Sequence, residues 1–130
     1  MDTSFNAEFA RKVKERPGGE NISLCYACGT CTACCPVAAL RAEFNPRKII
    51  RQVQLGRRGE VLGSPEIWLC AQCHACTALC PQDARFAGVV RVLRELAVEN
   101  GFVPPDTAAK TAGIEEGLKK ERLEKLLSVL

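Results

Sequence analysis

Two cysteine segments of the chain superpose without a gap: CYACGTCTACCP, from Cys25 to Pro36, and CAQCHACTALCP, from Cys70 to Pro81. Both read C-x2-C-x2-C-x3-C-P. Cys25, Cys28, Cys31, Cys35 and Pro36 fall on Cys70, Cys73, Cys76, Cys80 and Pro81, and the ninth cysteine of the chain, Cys34, falls on Leu79. Two intervening residues allow successive thiolates to reach three corners of one iron-sulfur cube. The fourth cysteine of such a run goes to the neighbouring cube. The spacing therefore predicts two [4Fe-4S] clusters with exchanged ligands: cluster one on Cys25, Cys28, Cys31 and Cys80, and cluster two on Cys35, Cys70, Cys73 and Cys76. Small or turn-forming neighbours, Gly29, Thr30 and Ala75, let backbone amides approach the sulfurs, and Pro36 and Pro81 redirect the chain by fixing φ and removing a donor. Cys34 is expected to pack as a small apolar side chain and not to ligate. His74, opposite Gly29 in the repeat, is expected to stand beside the ligands, donating to a sulfur.

Other uses of cysteine fit less well. A two-knuckle zinc site places its C-x2-C pairs about 15 to 20 residues apart. Here the whole of Pro36–Leu69 intervenes, and zinc leaves the third and fourth cysteines of each run without a role. A disulfide scaffold belongs to secreted proteins, whereas the stretch MDTSFNAEFARKVKERPGG has no apolar signal core, so a reducing, cytoplasmic setting is expected. Asn21–Leu40 is twenty residues without a charge, the length of a membrane span, but its five cysteines, proline and hydroxyls lack the aliphatic density that hydrocarbon demands. The 18 basic and 15 acidic residues are too balanced to argue for nucleic acid. Two thiolate-bound cubanes would take the formal charge of +3 to roughly −1.

At 130 residues the chain suits one module, too small for a substrate domain plus a cofactor domain. The pattern around the cysteines is helical. Phe5, Phe9 and Val13 recur every four residues, and Pro17-Gly18-Gly19 ends that segment. Asn45 is an N-cap, Pro46 suits the first helical position, and Ile49, Ile50 and Val53 form a stripe that stops at Gly56. Ser64-Pro65-Glu66 repeats the cap-and-proline signal before Ile67-Trp68-Leu69. Phe86, Val89, Val90, Leu93, Leu96 and Ala97 share a helical face closed by Asn100-Gly101. Beyond Pro104-Pro105, Ile114, Leu118, Leu123, Leu126, Leu127 and Leu130 mark a last helix, its start weakened by Gly113 and Gly117, that either folds back on the core or docks on a partner. The expectation is an all-α, helical ferredoxin with two [4Fe-4S] clusters: a helix and loop over 1–20, the two-cluster domain over 21–103, and an amphipathic helix over 104–130. Arg47, Lys48, Arg51, Arg57 and Arg58 make its linker basic, either as a solvated face, as compensation for cluster charge, or as a docking surface for an acidic partner.

CYACGTCTACCP, FNPRKIIRQVQLG and EIWLCAQCHACTALCP, with the helix that follows, resemble the C subunit of heterodisulfide reductase and its bacterial homologues, over about Asn21 to Gly101. The resemblance implies an electron-transfer subunit with the eight repeated cysteines as ligands. It would bridge a flavin-containing, electron-bifurcating A subunit and a catalytic iron-sulfur B subunit. The Cys-Cys-Gly segments of the catalytic subunit and any glycine-rich dinucleotide fingerprint are absent, and no nucleophile with a base is evident, so the chain is not expected to be catalytic alone. The cysteine motif is shared with iron-sulfur subunits of other oxidoreductases, of fumarate reductase, glycolate or glycerol-3-phosphate dehydrogenase type. A third reading is a binding module whose clusters are structural or redox-sensing.

Overall fold

The apolar stripe beginning at Phe86 becomes the longest buried helix of the molecule, and the rest of the core is laid against it. The computed structural model describes residues 5–130; among them the chain forms α-helices and two short 3-10 turns, with no strand. The helices are α1 (Phe9–Lys14), α2 (Thr30–Ala33), α3 (Pro36–Leu40), α4 (Pro46–Gln54), α5 (Arg58–Leu62), α6 (Ala75–Leu79), α7 (Phe86–Glu99) and α8 (Thr107–Leu127), with 3-10 turns at Ile22–Leu24 and Pro65–Trp68. The all-α expectation holds.

On α7 the six stripe residues are all buried, and Ala87 and Val92 join them, so the buried surface is wider than one stripe. Against it pack Phe9 and Val13 of α1, Ile49, Ile50 and Val53 of α4, Val61 and Leu62 of α5, and Ile67. Helix α4 starts as its sequence dictates: the Asn45 side chain accepts from the Lys48 amide at 3.0 Å, with Pro46 in the first turn. Helix α7 ends at Gly101, in the left-handed region at φ 71°, where the Phe102 amide returns to the Ala97 carbonyl at 2.9 Å. Arg16 ties the end of the α1 segment to α7 by two bonds to Glu99, of 2.7 and 2.5 Å.

Three expectations need adjustment. Phe5 lies outside α1 and is exposed; Asn6 intervenes, its side chain accepting from the Glu8 amide while its own amide donates to the Gly56 carbonyl at 2.8 Å. Ser64 caps a 3-10 turn and not an α-helix. Helix α8 runs unbroken through Gly113 and Gly117, whose missing side chains would meet open space. It touches the core at its N-terminal half, where Glu115 pairs with Arg94 of α7 at 3.0 Å, while none of its residues is buried and its apolar side chains are exposed. The uncharged stretch Asn21–Leu40 breaks into a 3-10 turn, α2 and α3, and no helix among the described residues is long and apolar enough to cross a membrane.

Candidate iron-sulfur centres

Helices α2 and α6, the corresponding elements of the two repeats, pack side by side and bring the cysteine runs together. Two cavities result. The first is lined by Cys25, Cys28, Cys31 and Cys80 together with Cys76, and the second by Cys35, Cys70, Cys73 and Cys76. They are similar in size, about 390 and 310 Å³ with their open mouths included. Cys76 and Phe86 line both, so a wall of shared side chains separates them. Phe44 supports that wall, its ring edge-on to Phe86 at 6.1 Å.

The donor set fits the clusters predicted from the spacing. Each cavity has thiols from both repeats, in the exchanged sets that the motif groups together. Among the described residues no three His, Cys, Asp or Glu converge closely enough to hold a single metal ion. The thiols instead stand around a space, as a polynuclear group with an iron at each corner requires.

The backbone is shaped to the same end. Ala27 and Gly29 in the first run, and Gln72 and His74 at the matching positions of the second, all have positive φ. Asp83 and Arg85 repeat the alternation around Ala84. Left-handed non-glycine residues cost roughly 1–2 kcal/mol each, and here all five lie within the cysteine loops or just beyond them. The turns aim amides at sulfur: the Ala27 amide lies 3.4 Å from Cys25 Sγ, and the Ala84 amide 3.3 Å from Cys80 Sγ. The Gln72 side chain donates to Cys70 Sγ at 3.4 Å and to the Ala87 carbonyl at 3.2 Å.

Burial pushes the Cys31 thiol up to about 11, with the neighbouring sulfurs of Cys25 and Cys76 acting in the same direction. Burial likewise raises Cys70 and Cys76. Cys28, exposed at the mouth of the first cavity, is lowered, chiefly by its hydrogen bond with the Thr30 hydroxyl at 3.3 Å.

Two residues singled out in the sequence stand apart from the thiol sets. Cys34 lines neither cavity; its thiol donates to the Cys31 carbonyl at 3.6 Å and packs against the core. His74 lines the second cavity, is exposed, and makes no side-chain hydrogen bond to a cysteine among the described residues. What it supplies is the left-handed turn that starts α6.

Arg94 is a functional residue that the sequence reading missed. Its buried guanidinium donates to the carbonyls of Ile67 (2.9 Å), Trp68 (3.2 Å) and Cys70 (2.7 Å), holding the segment that enters the second cavity. It also stacks 5.5 Å from the Trp68 ring and pairs with Glu115 of α8 at 3.0 Å. The signal was available: an arginine four residues after Val90 and three before Ala97 sits inside the apolar face of its helix.

Comparison with known proteins agrees with this site. Residues 24–85 match the family described as a 4Fe-4S dicluster domain. The chain is 34% identical over 102 residues to the C subunit of the H(2):CoB-CoM heterodisulfide,ferredoxin reductase of Methanothermobacter thermautotrophicus, covering 78% of this chain and 54% of the relative. It is 35% identical over 97 residues to the iron-sulfur C subunit of the CoB--CoM heterodisulfide reductase of Methanopyrus kandleri, covering 75% and 50%. It is 40% identical over 104 residues to the C2 subunit of the H(2)/formate:CoB-CoM heterodisulfide,ferredoxin reductase of Methanococcus maripaludis, covering 75% and 55%. The chain thus spans about half the length of the curated relatives it matches. Two cavities ringed by repeated cysteines, a dicluster match across them and this set of relatives lead to one conclusion: the chain carries a two-[4Fe-4S] dicluster domain similar to the C subunits of heterodisulfide reductases.

Proposed function

We propose that this chain is the electron-transfer subunit of a heterodisulfide-reductase-type complex, relaying electrons between a flavin-containing A subunit and a catalytic iron-sulfur B subunit, in the cytoplasm, with no substrate chemistry of its own. The observation that carries the reading is the pair of cavities sharing Cys76 and Phe86 as a common wall. Two redox centres so close form a relay, and each cavity opens to solvent beside an exposed cysteine, Cys28 in one and Cys73 in the other. Bound there, [4Fe-4S] clusters supply reversible one-electron storage, with potentials set by hydrogen bonds to sulfur and by exposure.

The residues divide the work. Cys25, Cys28, Cys31 and Cys80 hold the first cluster, and Cys35, Cys70, Cys73 and Cys76 the second. Amides of Ala27 and Ala84 and the Gln72 side chain donate toward sulfur and favour the more negative, reduced charge state. Phe44 and Phe86 keep the shared wall dry, and Arg94 fixes the chain entering Cys70.

Anaerobic affinity purification of the native protein, with iron and labile sulfide analysis and identification of the co-purifying chains, tests this. About eight irons per chain with a flavoprotein and a disulfide-reductase-like chain is the expected result. Eight irons with the partners of a different oxidoreductase retain the relay and reject the heterodisulfide circuit; four irons or zinc reject the paired clusters.

A further inference from the structure

The two cavities differ in the charge around their mouths. The first is lined by the exposed Tyr26, Ala27 and Cys28 and by Arg47, whereas the lining of the second contains no lysine, arginine, aspartate or glutamate. Arg47 begins a cationic face on α4. Arg47, Lys48 and Arg51 are exposed and make no ion pair among the described residues, while the adjoining Arg57 is paired with Glu60 at 3.2 Å. The groove along this face is lined by Ala27 and Arg47, the same two residues that line the first cavity, so face and mouth are continuous.

The face is also held rigidly against the cysteine loop. Thr32, next to Cys31, accepts from the Arg47 amide at 3.1 Å and donates to Asn45 Oδ1 at 3.1 Å, and Asn45 in turn caps α4 at Lys48. The Arg47 side chain runs past Gly29, where a Cβ would lie 3.7 Å from Arg47 Cδ. The backbone that starts α4 is therefore fixed beside the exposed edge of one centre, with Arg47, Lys48 and Arg51 carried on it. If they served only to offset cluster charge, the second cavity would need the same. The cation nearest Cys70 there is Arg94, which is buried and already paired with Glu115.

We propose that Arg47, Lys48 and Arg51 form the docking face for an acidic electron-transfer protein surface, which exchanges electrons at the first cavity. The inference rests on the electron-transfer reading above and adds to it which end of the relay an acidic partner uses. Opposite charge around a redox edge both raises the encounter rate and orients the encounter.

The test uses the reduced holo-protein and three oxidants: an acidic blue copper protein, the basic haem protein cytochrome c, and neutral benzoquinone. In each protein reaction one electron passes from this chain to one copper(II) or one ferric haem, giving copper(I) or ferrous haem with no bond made or broken. Rates are divided by the benzoquinone rate of the same variant, which surface charge does not steer. The blue copper protein should react faster than cytochrome c at low salt and slow steeply as salt is raised. Lys48→Glu/Arg51→Glu should slow it at least tenfold, the low end of the range for steering, and adding Arg47→Glu should slow it further. Lys119→Glu/Lys120→Glu, an equal charge change on exposed α8 residues, should leave the ratio near that of the unchanged protein. A blue copper rate that ignores salt, a faster reaction with cytochrome c, or equal slowing by the α8 variant overturns the docking face while leaving the relay intact. Failure of benzoquinone to reoxidise the reduced protein reversibly overturns the relay itself.

Discussion

A single buried guanidinium shows how much one residue can organise in a small chain. Arg94 satisfies three carbonyls of the segment that leads into Cys70 and pairs with a carboxylate on another helix. Replacing it with methionine keeps the bulk but leaves those carbonyls and Glu115 without their donor, and should cost about 2–4 kcal/mol in the holo-protein. Arg94→Lys restores the charge but not the planar fork, and should recover less than half of the loss. Denaturant melting and the rate of iron release to a chelator measure both. The cysteines divide in the same way: Cys34→Ala should keep about eight irons per chain, whereas Cys80→Ser should disturb the first cluster selectively, as read by iron content and electron paramagnetic resonance. Proton linkage has a definite sign. With the Cys31 thiol at about 11 when no iron is bound, the group is protonated at neutral pH and must lose that proton to ligate. Cluster loss to a chelator should therefore be faster at pH 6 than at pH 8, and the reverse order would contradict thiolate ligation of the clusters.

Among the elements, the helices that carry ligands are the least able to stand alone. Helices α2, α3 and α6 are four or five residues long, far below the length at which a helix persists unaided. They are held by α4, by α7 and by what the cysteines bind. Close backbone contacts lock this arrangement. A Cβ on Gly88 of α7 would come within 2.7 Å of the Gly18 carbonyl oxygen, so Gly88→Ala should separate the α1 segment from α7 and lower the melting temperature. Helix α8 is the opposite case. Gly113→Ala and Gly117→Ala meet no neighbour, and each should raise local helix stability by about 1 kcal/mol, visible as slower amide exchange in α8 with the core unchanged. The helix start at Asn45-Pro46 and the stripe of α7 were legible because caps and periodicity act within a few residues. The start of α1 was misplaced because Asn6 bonds to Gly56, a distant partner that no local pattern reports.

Over the whole molecule the apolar core and the cysteine-lined cavities share residues of α4 and α7: Ile50 belongs to the core and lines the first cavity, and Phe86 belongs to the core and lines both. Cys70 and Cys76 themselves belong to the buried core. Removing iron should therefore uncouple the cysteine loops and abolish cooperative melting, with much of the helicity lost; native near-UV dichroism in iron-free protein would count against this. The Arg16–Glu99 pair, between side chains about one third and one half exposed, should contribute well under 1 kcal/mol and survive only as a salt-sensitive tie between the α1 segment and α7.

The sequence by itself determined the number of thiols, their division into two equivalent runs, the exclusion of Cys34 from the repeat, the helical class and the caps of its main helices. All of these are encoded in spacings of two to four residues, where covalent geometry and local hydrogen bonding leave little freedom. The tertiary structure decided what no short spacing contains. It brought the Cys80 loop to the cavity of Cys25, made Cys76 and Phe86 a shared wall, buried Arg94 against three carbonyls, left the apolar side chains of α8 exposed, and set the α4 cations beside one mouth only. Those outcomes depend on contacts between distant residues, and on which of several apolar faces wins the competition for α7, a choice settled only when the whole chain is packed.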